Sequence, residues 1–252
     1  MSSFSLKNKN AIVVGGSGDL GFAILEGILE AGSSAICIDN DINGTKKIQT
    51  LKDKGFKVDF IEVDISNEDE IDYSIKKSID FLGNKIDILI NSAGIQRRAS
   101  SEIFKRKDWD DVIAINLTAS FNYCKKVGKI MIDNNYGKII NIASMQSFLG
   151  GITIPAYAAS KGGIAQLTKA LSNDWASKGI RVNAIAPGYM DTQLNTQLIN
   201  DPSRNKEILS RIPVGRWGNP EDLKGCAIFL ASDASDYLTG AVIPVDGGFL
   251  SR

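Results

Sequence analysis

The chain has 252 residues, with 29 Lys and Arg against 29 Asp and Glu, three cysteines and no histidine. That length fits an α/β domain with a substantial core, and a zero net charge gives no electrostatic reason to expect nucleic acid or an anionic membrane as partner. Without histidine there is no Ser-His-Asp or Cys-His nucleophile and no zinc site with His ligands, so proton chemistry must fall on Tyr, Lys, Asp, Glu or Cys.

In chain order, short β-branched runs recur: AIVV at 11–14, AICI at 35–38, VDFIEV at 58–63, IDILIN at 86–91, KIINIA at 138–143, RVNAIA at 181–186 and AVIPV at 241–245. Helical patterns lie between them. Residues 20–31 set Leu20, Ile24, Leu25, Ile28 and Leu29 on one side, and 157–176 repeat the theme with Ile164, Leu167, Leu171 and Trp175. Strands that are apolar nearly throughout, alternating with helices, mean a parallel sheet covered on both faces. The expectation is a single-domain α/β fold spanning 1–252, a doubly wound parallel seven-stranded sheet of Rossmann type with helices on both faces. Residues 190–219 break the rhythm and are expected to form a long irregular lid within that domain. Cys37, Cys124 and Cys226 lie far apart in apolar runs and read as small buried hydrophobes, not metal ligands. The opening segment MSSFSLKNKN lacks the apolar core of a signal peptide and no run approaches membrane-spanning length, so a cytoplasmic protein is expected.

The first strand runs into Gly15-Gly16-Ser17-Gly18-Asp19-Leu20-Gly21 and then the first helix. Glycines there permit a tight turn, let backbone approach a pyrophosphate and let helix pack close to strand, with the phosphate on the exposed N–H groups of the helix start. Asp39 ends the second strand, at about the 20-residue spacing where a carboxylate accepts the adenosine ribose hydroxyls and repels a 2′-phosphate. NAD is therefore expected in preference to NADP. Asp64 and Ile65, after the third strand, lie where the adenine edge would pass. Tyr157 and Lys161 sit one helical turn apart on one face, and a nearby ammonium stabilises a phenolate. Ser144 follows the strand 138–143 at the carboxyl edge, where open α/β sheets bind ligands.

Together these motifs make the sequence resemble the short-chain dehydrogenase/reductase family over essentially the whole chain. The resemblance rests on the glycine turn, Asn91-Ser92-Ala93-Gly94, Asn116, Ser144, Tyr157-Ala-Ala-Ser-Lys161, Pro187-Gly188 with Thr192, and Asp246-Gly247-Gly248. It implies that Tyr157 is the acid/base and Ser144 polarises the carbonyl. It implies that Lys161 holds the nicotinamide ribose and lowers the tyrosine pKa, while Asn116 positions a water relaying protons to it. Gly15, Ser17, Gly18, Asp19, Leu20 and Gly21 would meet the cofactor phosphates, Asn91, Ala93 and Gly94 the ribose, and Pro187, Gly188 and Thr192 the nicotinamide end. It also implies a homotetramer.

The sequence departs from the family pattern in three places. Val14 replaces the usual threonine, Ser92 the second asparagine, and Asp19 the middle glycine, with Gly18 one residue early. Asp19 stands beside the pyrophosphate site, where the phosphates repel its carboxylate unless it points outward to serve the first helical turn, and it is expected to weaken cofactor binding without abolishing it. Gly15-x-x-Gly18-x-x-Gly21 also fits the extended branch of the family, whose longer C-terminal region this chain lacks.

Substrate specificity is expected in Arg97 and Arg98, which can grip a carboxylate, and in Gln146, which can read hydroxyls. GIQRR, KIINIASMQSFLGG, APGYMDT and RIPVGRWGNPEDL resemble the sugar-acid group of the family. The implied reaction is NAD-linked interconversion of a secondary alcohol and a ketone on an aldonate. Two alternatives stand beside it: a 3-oxoacyl-carrier-protein reductase, against which Asp39 argues, and a nucleotide-binding regulator without catalysis, against which the intact Ser144, Tyr157 and Lys161 argue.

Overall fold

A computed structural model describes residues 3–252; Met1 and Ser2, which begin the segment searched for a leader, lie outside it. All seven expected strands form: β1 (Asn10–Val14), β2 (Ser34–Asp39), β3 (Val58–Glu62), β4 (Ile88–Asn91), β5 (Gly137–Ile142), β6 (Ile180–Pro187) and β7 (Val242–Val245). They make one parallel sheet in the order β3-β2-β1-β4-β5-β6-β7. Every residue of β4 and β5 is buried, which explains why these strands are apolar on both faces.

The helices are α1 (Asp19–Glu30), α2 (Gly44–Asp53), α3 (Glu68–Leu82), α4 (Arg106–Ile113), α5 (Ala119–Asp133), α6 (Pro155–Trp175), α7 (Thr196–Asn200), α8 (Pro202–Arg211) and α9 (Lys224–Ala231). Their ends follow local chemistry. The Asn67 side chain caps α3 by accepting from Asp69 N–H at 3.0 Å, three acids fill its first turn, and Gly83 stops it at φ 85°. Pro155 opens α6 at a position where no amide donor is needed, two residues before Tyr157.

The core divides by sheet face. Ile24, Leu25 and Ile28 of α1, Ile48 and Leu51 of α2, and Ala227 and Leu230 of α9 pack on one side with β1 and β2. Ile71 and Ile75 of α3, Tyr123 and Val127 of α5, and Leu171 of α6 pack on the other.

Residues 190–219 are largely helical rather than irregular, containing a 3₁₀ turn at Gln193–Asn195 followed by α7 and α8. The Asp201 side chain caps α8 by accepting from Ser203 and Arg204 N–H at 2.9 and 3.1 Å, with Pro202 in the first turn. The two ends of the segment meet: Asp191 N–H donates to the Gly218 carbonyl at 2.7 Å, and Gly218 N–H to the Tyr189 carbonyl at 2.8 Å. Ile208 and Ile212 pack beneath it on Met145 and Phe249. Asp246 folds the C-terminal tail under this layer, accepting from Gly248 and Leu250 N–H at 2.9 Å each.

Candidate active site

The turn between β1 and α1 lies beside β4, where the strand order reverses direction along the sheet, the place at which open α/β sheets bind ligands. Two of its glycines are forced by contact. A Cβ on Gly15, whose φ is +75°, would stand 2.4 Å from Ala93 N, and one on Gly21 would stand 2.0 Å from the Gly15 carbonyl oxygen. Gly18 differs: a Cβ there meets nothing nearer than 3.6 Å and would project into an open cleft. Bare backbone beside a helix start fits the pyrophosphate of a dinucleotide.

Asp39, at the end of β2, lines that cleft. Its carboxylate accepts from Ser17 N–H at 3.0 Å and Asn40 N–H at 2.8 Å. Lys47 of α2 reaches the same turn, donating to the Ser17 carbonyl at 2.7 Å, a cation that the spacing of the sequence did not bring to notice.

Two cavities share Gly15, Gly18, Ser92 and Gly94 along the carboxyl edge of the sheet. The first, about 450 Å³, is lined by Ser144, Gln146, Tyr157, Lys161, Pro187, Gly188, Thr192 and Arg98. The second, about 500 Å³, is lined by Asp39, Asp64, Ile65, Ala93 and Arg97. The residues expected at the nicotinamide end thus gather in one cavity and those expected at the adenosine end in the other.

Tyr157 projects from the first turn of α6 and Ser144 from the end of β5. Burial pushes the Tyr157 phenol above its ordinary value, while a hydrogen bond with Ser144 and the Arg98 guanidinium pull it down. The buried Lys161 ammonium lies 5.7 Å from the Tyr157 ring centroid and donates to the Ile142 carbonyl at 2.6 Å. Burial lowers its pKa to about 8. Asn116 sits in a π-helical turn at Ala114–Thr118 between α4 and α5. Its Oδ1 accepts from Ile95 N–H at 2.8 Å, and its Nδ2 donates to the Ile95 carbonyl at 3.0 Å and to Ser160 Oγ at 3.1 Å. A Cβ on Gly94 would stand 3.5 Å from Asn116 Oδ1 and 3.6 Å from Lys161 Nζ, so Gly94 opens a gap between the two.

Three expected residues are placed otherwise than the sequence suggested. The Asn91 side chain turns into the core, donating to Asn141 Oδ1 at 2.9 Å and Cys124 Sγ at 3.3 Å, because alternate residues of a strand face opposite sides; Ser92 faces the cleft instead. Ser17 is buried and meets the site through backbone atoms. Arg97 points to the second cavity, its Nε 3.7 Å from Asp108, and leaves Arg98 beside Tyr157. Of the two placements open to Asp19, the structure takes the inward one: it lines the first cavity, and its Oδ2 accepts from Gln193 N–H at 2.8 Å.

Other cavity residues went unread in the sequence. Gln96 holds Arg98, its Oε1 accepting from Nη2 at 3.2 Å. Arg204, Glu207, Ile208 and Arg211 follow helical spacing on the cavity face of α8; Arg204 pairs with Glu207, and the Arg211 guanidinium lies 4.3 Å from the Phe249 ring centroid. The pair Asp201-Pro202 is a helix-start signal that would have revealed this face. Among the described residues no cluster of His, Cys, Asp or Glu could hold a metal ion, and no helix is long and apolar enough to cross a membrane.

Comparison with known proteins agrees with this fold. A family model described as enoyl-(acyl carrier protein) reductase matches residues 16–250. The chain is 44% identical to a 2-dehydro-3-deoxy-D-gluconate 5-dehydrogenase of Pseudoalteromonas atlantica, over 100% of both chains. It is also 44% identical to the protein of that name from Escherichia coli (strain K12), over 100% of this chain and 99% of that one. The crystal structure of a gluconate 5-dehydrogenase from Burkholderia cenocepacia J2315 in complex with NADP and tartrate matches with a TM-score of 0.95 at 39% identity, over 99% of this chain and 98% of that one. With Ser144, Tyr157 and Lys161 gathered at the carboxyl edge of a seven-stranded parallel sheet, the chain belongs to the short-chain dehydrogenase/reductase family, oxidoreductases of CH–OH groups that use a nicotinamide dinucleotide.

Proposed function

We propose that the chain is a 2-dehydro-3-deoxy-D-gluconate 5-dehydrogenase using NAD, with gluconate 5-dehydrogenase as the neighbouring activity. The observation that carries this reading is the convergence of Arg98 and Gln146 with Ser144, Tyr157 and Lys161 in one cavity. In oxidation, the Tyr157 oxygen takes the proton of the substrate hydroxyl while Ser144 holds the oxygen that loses it. The bound dinucleotide supplies the hydride acceptor. Lys161 and Arg98 place positive charge near the phenolate, favouring it. Asn116, beside Lys161 across Gly94, positions the water through which the lysine exchanges protons. Arg98 grips the substrate carboxylate, and the buried Gln146 Oε1, which lacks a hydrogen-bond partner among the described residues, accepts from a substrate hydroxyl. Residues 190–219 cover the reaction and exclude water. The Burkholderia relative, crystallised with the hydroxy acid tartrate, supports an acid-binding cavity.

Asp39 supports NAD, since its carboxylate stands where a 2′-phosphate would be repelled. A second reading, NADP, is favoured by the Lys47 ammonium on the same turn and by the NADP in the Burkholderia complex. The three free cysteines accord with a reducing cytoplasm. Exposed Ile103, Trp109 and Phe121 support a homotetramer.

The test is steady-state kinetics on a panel of aldonates, deoxyaldonates, their keto forms and uncharged polyols, each with both dinucleotides. We expect turnover of the sugar acids with NAD preferred. Tyr157→Phe should lower kcat by roughly two to four orders of magnitude. Arg98→Ala should raise the sugar-acid KM about tenfold or more, the loss of a charge-assisted hydrogen-bonded pair. Failure of every sugar acid with both dinucleotides would sink the assignment.

A further inference from the structure

We propose that Asp19 is a positioning residue that latches the substrate-covering segment onto the dinucleotide-binding turn. The inference rests on the reading above only in taking residues 190–219 as that cover. Asp19 begins α1, where a carboxylate gains from the helix dipole, yet it stands on the turn whose bare backbone suits a pyrophosphate, an anion it repels. Helix α1 does not use it as a cap: the cap position is Gly18, and no side-chain hydrogen bond closes the helix start. The carboxylate reaches across the cavity instead. Its Oδ2 accepts from the Gln193 N–H at 2.8 Å, joining residues 174 positions apart.

Among the described residues, no other hydrogen bond or ion pair joins the segment to the cofactor turn, and the remaining tie to α1 is the apolar packing of Met190. The base is already closed by the Met190–Gly218 bridge, which ties the segment to itself. Gln193 lies just beyond that closure, as the first residue of the 3₁₀ turn Gln193–Asn195. Thr192, Leu194, Asn195 and Leu198 around it all line the first cavity. A charged acceptor on a backbone donor is among the stronger hydrogen bonds, so Asp19 sets how the cover leans over the substrate before any ligand arrives. Glycine, the residue of the family pattern at this point, offers no such bond. The chain therefore accepts some repulsion of the pyrophosphate in return for a cover that is ordered in advance.

The test uses the whole cofactor-free protein and reads amide hydrogen exchange over residues 194–200 in wild type, Asp19→Asn, Asp19→Ala and Gln193→Pro. Asp19→Asn keeps an acceptor oxygen and removes the charge. Gln193→Pro deletes the donor at a tolerant position, because Thr192 is already extended (φ −147°, ψ 164°) and residue 193 opens a helical turn. We expect exchange about tenfold faster in Asp19→Ala and Gln193→Pro, within about threefold of wild type in Asp19→Asn, and no faster in the Ala/Pro double variant than in either single one. The sugar-acid KM should rise in Asp19→Ala but not in Asp19→Asn, while the dinucleotide KM falls in both as the charge goes. Equal behaviour of Asn and Ala in exchange and in sugar-acid KM, or unchanged exchange in all variants, overturns the latch. Exchange is read without substrate or dinucleotide, so a wrong substrate assignment leaves it untouched.

Discussion

Lys161 carries its charge where the fold offers little to solvate it: it is 3% exposed, its ammonium donates to the Ile142 carbonyl, and burial lowers its pKa to about 8. An unfolded lysine titrates near 10.4, so the folded state binds this proton more weakly than the unfolded state. Holding the charge therefore costs stability below pH 8, and the cost fades as pH rises from 8 toward 10.4. We expect Lys161→Met to be inactive yet more stable than wild type at pH 7, by at most about 3 kcal/mol less the lost bond to Ile142. The gap should close toward pH 10, as read from denaturant midpoints across the range. A gap constant with pH would mean that the buried charge is not its source. Tyr157, Ser144 and Lys161 stood out in the sequence as members of several family motifs in order, since a Tyr and a Lys four apart meet by chance in many helices. The facing of Asn91, Arg97 and Asp19 was not legible, because the facing of a side chain at a strand or helix end depends on register against distant segments.

Among the elements, β4 and β5 are tied to the helices beneath the site by buried polar groups as well as apolar packing. Asn91 bonds to Asn141, and Asn141 Nδ2 donates to Thr168 Oγ1 of α6 at 3.0 Å, linking the strand before Ser144 to the helix that carries Tyr157 and Lys161. Thr168→Val keeps the shape and removes the acceptor, leaving a buried amide donor unpaired. We expect a loss of about 1–3 kcal/mol in unfolding free energy, with the folded protein still turning over substrate. A loss below about 0.5 kcal/mol would mean that Asn141 finds another partner. The seven strands were legible because β-branched runs buried on both faces are hard to mistake. The helix α8 was missed because its polar face looks like a loop until Asp201-Pro202 is read as a start. The π turn around Asn116 carries no evident sequence mark, since it depends on how α4 and α5 join over the Ile95 backbone.

For the whole molecule, the sheet order sets Asp39, Asp64 and Ile65 along one cavity and Ser144, Gln146 and Tyr157 along the other, with Gly15 against Ala93 at the seam. The exposed Ile103, Trp109 and Phe121 are large apolar side chains on the outside of that frame, and a homotetramer would cover such a surface. Light scattering should give four times the 27.2 kDa chain, and Phe121→Asp should lower that mass; a monomeric wild type would overturn the assembly. The closed base of residues 190–219 has a different consequence. Because the segment leaves and returns at one bridge, a replacement interior of another length should leave strand register intact, provided that it keeps the packing of Ile208 and Ile212 on Met145 and Phe249. On the proposed reading of the segment as a cover, it would serve as a cassette for changing substrate, with residue 19 rewritten to match because Asp19 bonds to Gln193 N–H.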